Sequence, residues 1–356
     1  MSADFEPGLV SVVIPAHNRA RLIIDTLDSV FAQTHRPIEA LVADDGSTDG
    51  TPAAIERWHR ETKGAPGFRL RLFRLRKGGA QVALNLGLIE SRGEFIQFLD
   101  SDDVLGRRKI ERQAAALQRD NSRVGAVAAC GAWRVFEVRG DGRVNRYSER
   151  APHPGTDPLR HWIARGWYLP VQAFLWPRAA CAAIGPWDEA LRRNQDVDYG
   201  VRWCLAGGEY RFVSDSPVYY RQTGAVGKIR KFRNPNNLGS FLRVLEKARD
   251  ALAEETEHRP DLTQAVADGY YRIARAAALI NRRVMAQCLE RYRSLSATRL
   301  PPAHLKRVHR LLFAVLGVAP TEAILDSLAK RAPGLLPKED TLDGVFDNVS
   351  EMLERE

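Results

Sequence analysis

Apolar and polar positions alternate along the first hundred residues in blocks that predict strand and helix in turn. Leu9-Val10-Ser11-Val12-Val13-Ile14-Pro15 is a β-branched run ended by proline, which predicts a central strand stopping where the backbone donor is lost. Past the loop Ala16-His17-Asn18-Arg19, apolar residues at Leu22, Ile23, Leu27, Val30 and Phe31 keep helical spacing until Pro37. Ala40-Leu41-Val42-Ala43 reads as the second strand, and Pro52 to Arg60 as the second helix. From Arg69 to Leu75 arginine alternates with leucine or phenylalanine, as in a strand near a sheet edge with one wet face. Lys77-Gly78-Gly79 opens a third helix, and Phe95-Ile96-Gln97-Phe98-Leu99 is a fourth strand, buried on both faces. Four such alternations in about 105 residues predict an α/β fold, a doubly wound and mostly parallel sheet flanked by helices.

Two of these strands run into acids. The second ends in Asp44-Asp45-Gly46-Ser47-Thr48-Asp49-Gly50-Thr51, and the fourth in Asp100-Ser101-Asp102-Asp103. The carboxyl ends of strands are where open α/β sheets present ligands. Carboxylate oxygens suit Mg²⁺ or Mn²⁺, metals commonly held by one or two carboxylates plus substrate phosphates. A metal-diphosphate site is one reading of the fourth loop; the other is that Asp102 or Asp103 caps the helix expected near Arg107. For Gly78 and Gly79 a phosphate cradle of backbone N–H groups competes with a plain turn into the helix, and two adjacent glycines favour the plain turn.

Composition narrows the class. The 356 residues are 44% hydrophobic, which allows one large or two modest globular domains and excludes a disordered chain. No apolar run long enough to span a bilayer and no basic-then-apolar leader is present, so a cytoplasmic location is expected. The four cysteines, Cys130, Cys181, Cys204 and Cys288, are scattered, against a zinc site or a disulfide scaffold. A formal net charge of +9 fits nucleic acid, anionic lipid or a phosphorylated substrate equally well.

At this point three segments, in this order and spacing, resemble the family 2 glycosyltransferases, nucleotide-sugar enzymes of GT-A fold. They are Val10 to Arg19, Asp44 to Thr51, and Gly93-Glu94-Phe95-Ile96-Gln97-Phe98-Leu99-Asp100-Ser101-Asp102-Asp103. The resemblance implies that Pro15, Ala16, His17 and Asn18 line the nucleotide pocket and that Asp45 accepts a hydrogen bond from the base. The implied donor is a UDP-sugar, although dTDP offers the same ring edge. It also implies Asp100, with Ser101 beside it, near the ribose or sugar, and Asp102, with Asp103 as the second candidate, on Mn²⁺ or Mg²⁺; Gly78, from the glycine turn, joins them as a donor-site candidate. A second block, Ala173 to Leu191 followed by Asn194-Gln195-Asp196-Val197-Asp198, extends the match and implies Asp196 as catalytic base of an inverting transfer. Read without the resemblance, Asp196 is better taken as a helix N-cap, with Asp198 an acid complementing the dipole. Trp187 reads as core. Three positions depart from the family pattern: Gln195 where Glu is usual, Leu84 where Arg is usual, and no histidine in Tyr219-Tyr220-Arg221-Gln222-Thr223.

The resemblance covers about residues 8–225. The expected organisation is a GT-A domain over 1–225 (nucleotide half 1–105, acceptor half 106–225), a basic linker over 226–237 and a helical C-terminal region over 238–356. Breaks in that region are expected near Pro260, Pro301-Pro302, Pro320 and Pro333, with an exposed or loosely docked helix from Lys338. Lys306 to Leu316 sets cations beside an apolar run; the reading as bundle core with a charged shoulder leads over one as a helix lying on an anionic membrane. The functional expectation is a metal-dependent inverting transfer from a nucleotide-sugar donor to a glycan or lipid-linked hydroxyl acceptor, in bacterial surface polysaccharide or glycolipid synthesis, with peripheral contact to an anionic membrane. The rivals are a catalytically silent sugar- or partner-binding relative and a nucleic-acid-binding protein. The last lacks aromatic platforms among its basic residues.

Overall fold

The computed structural model describes residues 5–119, 127–140, 142–152, 170–222, 235–254, 259–296, 298, 300–302, 305, 307–331, 342–346 and 352. The alternation read from the pattern is present: β1 (Glu6–Ala16), α1 (Ile23–Phe31), β2 (Ile38–Asp45), α2 (Thr51–Thr62), β3 (Phe68–Leu75), α3 (Ala80–Glu90) and β4 (Gly93–Phe98). β1 pairs in parallel with β2 and with β4, and β2 in parallel with β3. The order β4-β1-β2-β3 means that the chain winds outward from β1 to β3 and then returns to the far side of β1. The crevice between the carboxyl ends of β1 and β4 is therefore the topological switch point of the sheet. β3 is the edge strand, and its arginines are paired: Arg69 with Glu6 and Arg71 with Glu90 from one face, and Arg74 with Glu56 from the other.

The next stretch turns the acid loop into a joint between two sheets. β5 (Val104–Leu105) follows Asp103 directly, and α4 (Lys109–Gln118) follows it. β6 (Val127–Cys130), β9 (Phe174–Pro177) and β10 (Glu209–Phe212) extend the large sheet to seven strands, β9 lying antiparallel to both β4 and β6. A second sheet of five strands runs β12-β8-β7-β11-β5. It contains β7 (Trp133–Val138), β8 (Val144–Arg150), β11 (Val218–Arg221) and β12 (Leu342–Phe346). β5 pairs antiparallel with β11, so a strand from well over a hundred residues downstream lies against the loop that carries Asp102 and Asp103. Between the sheets and α6 (Gln195–Leu205) sits an aromatic core. Trp187 stacks on Tyr199 with centroids 4.2 Å apart, and Phe98 meets Trp187 edge-on at 5.1 Å. Trp187 is core, as its sequence context implied, with α5 (Arg178–Ile184) leading into its turn.

The C-terminal region is mostly helical: α7 (Pro235–Glu254), α8 (Pro260–Ala277), α9 (Arg282–Leu295), α10 (Arg307–Leu316) and α11 (Val318–Arg331). α7 begins at Pro235, inside the expected linker, and the basic loop from Gly227 to Asn234 lies outside the described residues. Pro320 does not break a helix. It occupies the first turn of α11, where its missing N–H costs nothing, and the break falls at Gly317, whose φ is +81°. The tail also departs from expectation: Leu342–Phe346 is a strand pairing antiparallel with β8, because that edge offered unpaired backbone groups. Among the described residues no helix is long and apolar enough to cross a membrane.

Candidate active site

Two loops at the switch point are laced together by their own polar groups. Asn18, at φ +52°, donates its N–H to Ser47 Oγ (2.9 Å) and accepts at Oδ1 from the Thr48 N–H (2.9 Å). Arg19 N–H donates to Thr51 Oγ1 (2.7 Å), and Ala20 N–H to Asp49 Oδ2 (3.2 Å). Pro15, Ala16 and His17 thereby border the cleft beside the end of β2, Ala16 buried and His17 half-buried. Asp44 holds the turn by accepting from the Ser47 N–H and hydroxyl.

Asp45 does something the sequence did not announce. Its Oδ1 accepts from Gly78 N–H (2.6 Å) and its Oδ2 from Gly79 N–H (2.9 Å). The amides of the glycine turn are therefore spent on a carboxylate, and Gly78 is not a phosphate cradle here; the plain turn into α3 is what forms. Gly79 sits at φ +109°, where a side chain would be strained. A carboxylate has about four lone-pair positions, so Asp45 keeps acceptor capacity toward a base after binding both amides. Leu84, the departure in α3, is buried in the core. A cation nonetheless stands at this rim, since a Cβ at Gly79 would come within 3.7 Å of Arg192 Nη1.

The acid loop is braced from behind. Asp103 is fully buried; its Oδ1 accepts from Arg221 N–H (2.8 Å) and its Oδ2 from Gln172 Nε2 (2.5 Å). Expected on the divalent ion, it has each oxygen holding one protein donor and is 1% exposed, less open to the cleft than Asp100 and Asp102. Burial, with the charges of Asp100 and Asp102, raises its carboxyl well above the usual range. Arg221 adds bonds from Nε to the Asp102 carbonyl (2.8 Å) and from Nη2 to Asp25 (2.6 Å). Behind Gln172 lies a buried ammonium: Lys109 Nζ donates to Gln97 Oε1 (2.6 Å) and Gln113 Oε1 (2.8 Å), and Gln97 Nε2 donates to the Gln172 carbonyl (2.9 Å). Burial pushes Lys109 down to about 7.

Asp100 and Asp102 are the acids that reach the cleft. Asp100 is pushed up to about 7, first by burial, then by the charges of Asp196 and Asp102, with Arg19 opposing. Asp196 is thus brought close enough to the acid loop for its charge to be felt there, from the first turn of α6. Tyr220 stands beside the same group: burial and the charges of Asp103, Asp100, Asp102 and Asp196 all raise its phenol. Arg19 Nε pairs with Asp102 Oδ2 at 3.4 Å. Asn194, in the left-handed region at φ +58°, is the N-cap of α6. Asp198 is buried and shared between Arg202 Nε (2.9 Å) and Lys247 Nζ (2.5 Å), so one first-turn acid is spent on structure and the other faces the cluster. Among the described residues no group of three or more His, Cys, Asp or Glu side chains could hold a metal unaided. The donor set that faces the cleft, Asp100 and Asp102, fits a hard cation completing its shell with phosphate oxygens. Ser101 is buried between them.

Gln172, Arg221, Arg19 and Tyr220 escaped the sequence reading. Polar residues inside apolar strands, such as Gln97, were the available signal, since a buried amide requires partners.

Comparison with known proteins bears on this site. Residues 11–167 match the family model described as glycosyl transferase family 2. An uncharacterized glycosyltransferase of Rickettsia typhi is 30% identical over 220 residues, 60% of this chain and 61% of its own length. The putative teichuronic acid biosynthesis glycosyltransferase TuaG of Bacillus subtilis is 37% identical over 106 residues, 30% of this chain and 40% of its own length. The chain thus spans less than two thirds of either curated relative. Staphylococcus aureus TarS 1-349, crystallised with UDP, superposes with a TM-score of 0.60 at 17% identity, covering 94% of each chain. Mannosyltransferase PcManGT of Pyrobaculum calidifontis, solved with GDP-Man and Mn²⁺, gives 0.55 at 17% identity, covering 91% of this chain and 80% of its own. At these identities the structural likeness is one of fold. With the matched segment carrying both laced loops and the acid loop, residues 11–167 are similar to the family 2 glycosyltransferases, and the chain has the fold of the solved glycosyltransferases named above.

Proposed function

We propose that this chain transfers a sugar, with inversion, from a nucleoside diphosphate donor, a UDP-sugar, to a hydroxyl of a glycan or lipid-linked acceptor in bacterial surface polysaccharide synthesis. The observation that carries the reading is that Asp100, at the switch point, lies within reach of the charges of both Asp196 and Asp102, with β1 alone between its strand, β4, and the β2 that ends at Asp45. The Asp45 carboxylate, fixed by Gly78 and Gly79, is an acceptor of the kind the ring N–H of uracil needs. The UDP bound to TarS and the polysaccharide named for TuaG point the same way.

Asp196 serves as general base. It takes the proton of the acceptor hydroxyl as that oxygen bonds to the anomeric carbon, while the bond from that carbon to the diphosphate oxygen breaks and its electron pair leaves with the nucleotide. A divalent ion held by Asp102 and Asp100, when bound, offsets the charge growing on the leaving diphosphate. Arg19, already on Asp102, adds a cation to that edge of the cleft. Gln172 and Arg221 hold the acid loop so that the carboxylates keep their positions without repelling one another apart.

Calorimetric titration of UDP, dTDP, GDP and CDP, with and without Mn²⁺, into the native protein and into Asp102→Ala tests the donor site. Binding of UDP that needs both Mn²⁺ and Asp102 is expected. Failure of every nucleotide to bind overturns the donor assignment; tight binding with neither transfer nor slow donor hydrolysis leaves the silent relative, for which Gln195 beside the base is the feature to examine.

A further inference from the structure

Eight of the eleven large apolar side chains left exposed among the described residues lie between Leu279 and Ile324; Phe5, Ile89 and Phe212 are the others. Their centre is α10. Val308, Leu311 and Val315, at i, i+3 and i+7, share one face and are 67%, 65% and 72% exposed. The helix is anchored by its other side: Phe313 is buried edge-on to Tyr271 (5.9 Å) with the Arg275 guanidinium over its ring (4.8 Å). A helix that packs one aromatic inward and turns three aliphatic residues outward is inverted relative to a bundle helix, so the bundle-core reading of this segment fails.

The charge around that face selects its occupant. α10 itself carries Arg307 and Arg310 and no acid; across residues 279–316 the other described cations are Arg282, Arg283, Arg291 and Arg293, Arg291 paired with Glu246 at 3.7 Å, against one acid in the segment, Glu290. Two copies of so cationic a face repel each other, which disfavours self-association. Exposed aliphatic side chains on a helix that carries Arg307 and Arg310 and no acid match the boundary between phosphate headgroups and acyl chains of an anionic bilayer. We infer that α10 seats this protein on an anionic phospholipid surface, with Val308, Leu311 and Val315 entering the headgroup–acyl boundary and Arg307 and Arg310 of the same helix on lipid phosphates. None of Val308, Leu311 and Val315 belongs to the donor-site residues named above, and the test of this face does not depend on catalysis.

The full chain is sedimented with vesicles of phosphatidylcholine alone and of phosphatidylcholine mixed one to one with phosphatidylglycerol. Binding to the anionic vesicles only, released as salt rises, is expected. In L311E/V315E the bound fraction should fall on the order of tenfold or more, because a carboxylate replaces inserted aliphatic surface and opposes the lipid charge. Both positions are exposed, so the melting temperature and nucleotide binding of the variant should match the native protein. Equal binding to neutral vesicles, no binding to either, or undiminished binding by the variant overturns the inference. So does a native dimer that the variant converts to monomer without any vesicle binding, which would give the face to a second copy. Loss of nucleotide binding in the native chain would instead strike the donor assignment.

Discussion

At the carboxyl ends of β1, β2 and β4 the polar side chains bind one another and the backbone, while along α10 aliphatic side chains face water beside arginine. The first arrangement spends polar groups on position: Asn18, Ser47 and Thr51 lace two loops, Asp45 fixes the glycine turn, and Gln172 and Arg221 hold Asp103. The second spends almost nothing on holding itself, keeping Phe313 as its inward anchor. A site that must act on charge is rigid and internally satisfied; a surface that must meet another phase is left unsatisfied.

The comparison breaks first if Asp196 is not chemical. Asp196→Asn should lower transfer about a thousandfold, as expected for loss of a general base, with UDP binding retained in the same titration. Asp198→Asn, two residues on, should do the opposite and leave turnover of the folded protein largely intact. It loosens the Lys247 and Arg202 pairs around a group only 2% exposed, and urea unfolding should show a loss of about 3 kcal/mol. If both variants lose activity alike with no change in stability, the division of labour within α6 is wrong.

Arg221→Met tests the brace. It keeps the backbone N–H that serves Asp103 but removes the bonds to the Asp102 carbonyl and to Asp25, and should cost about 2 kcal/mol in urea unfolding. Asp100→Asn tests the cost of gathering acids. Asp100 rises from 3.8 to about 7 on folding, so the native protein holds a proton there that the unfolded chain has lost. Its contribution to stability is full below about pH 4 and is lost as pH climbs to about 7. The native melting temperature should carry that fall, whereas the Asp100→Asn curve should be flatter and lie about 2–4 °C higher at pH 7.5. A variant curve parallel to the native one would sink this account. The smallest effect is expected on the other side of the comparison, where Leu311→Glu should leave the unfolding free energy within about 0.5 kcal/mol of native.

The parallel sheet was legible because its strands are continuous apolar runs, such as Leu9 to Ile14, that a periodicity argument reads directly. The acid loops were legible because Asp44-Asp45 and Asp100 to Asp103 sit where those runs stop. What escaped was whatever depends on distant partners. Nothing near Asp103 in sequence says that Gln172 and Arg221 will take up both its oxygens, and nothing near Asp45 says that Gly78 and Gly79 will. The pattern of α10 showed its apolar residues, but which side faced inward was decided by Tyr271 and Arg275 on another helix. The tail strand at Leu342–Phe346 was missed for the same reason, since it exists by virtue of the open edge of β8.

The brace on the acid loop also sets an order on folding. In an extended chain Asp100, Asp102 and Asp103 repel one another with no donor at hand, for Gln172 lies 69 residues and Arg221 118 residues further along. Contacts so remote close late. The parallel strands can pair before the carboxylates have settled, so refolding should restore strand signal ahead of nucleotide affinity. A molecule caught between the two events would own a finished scaffold and no grip, its cleft shaped but its carboxylates not yet held in place.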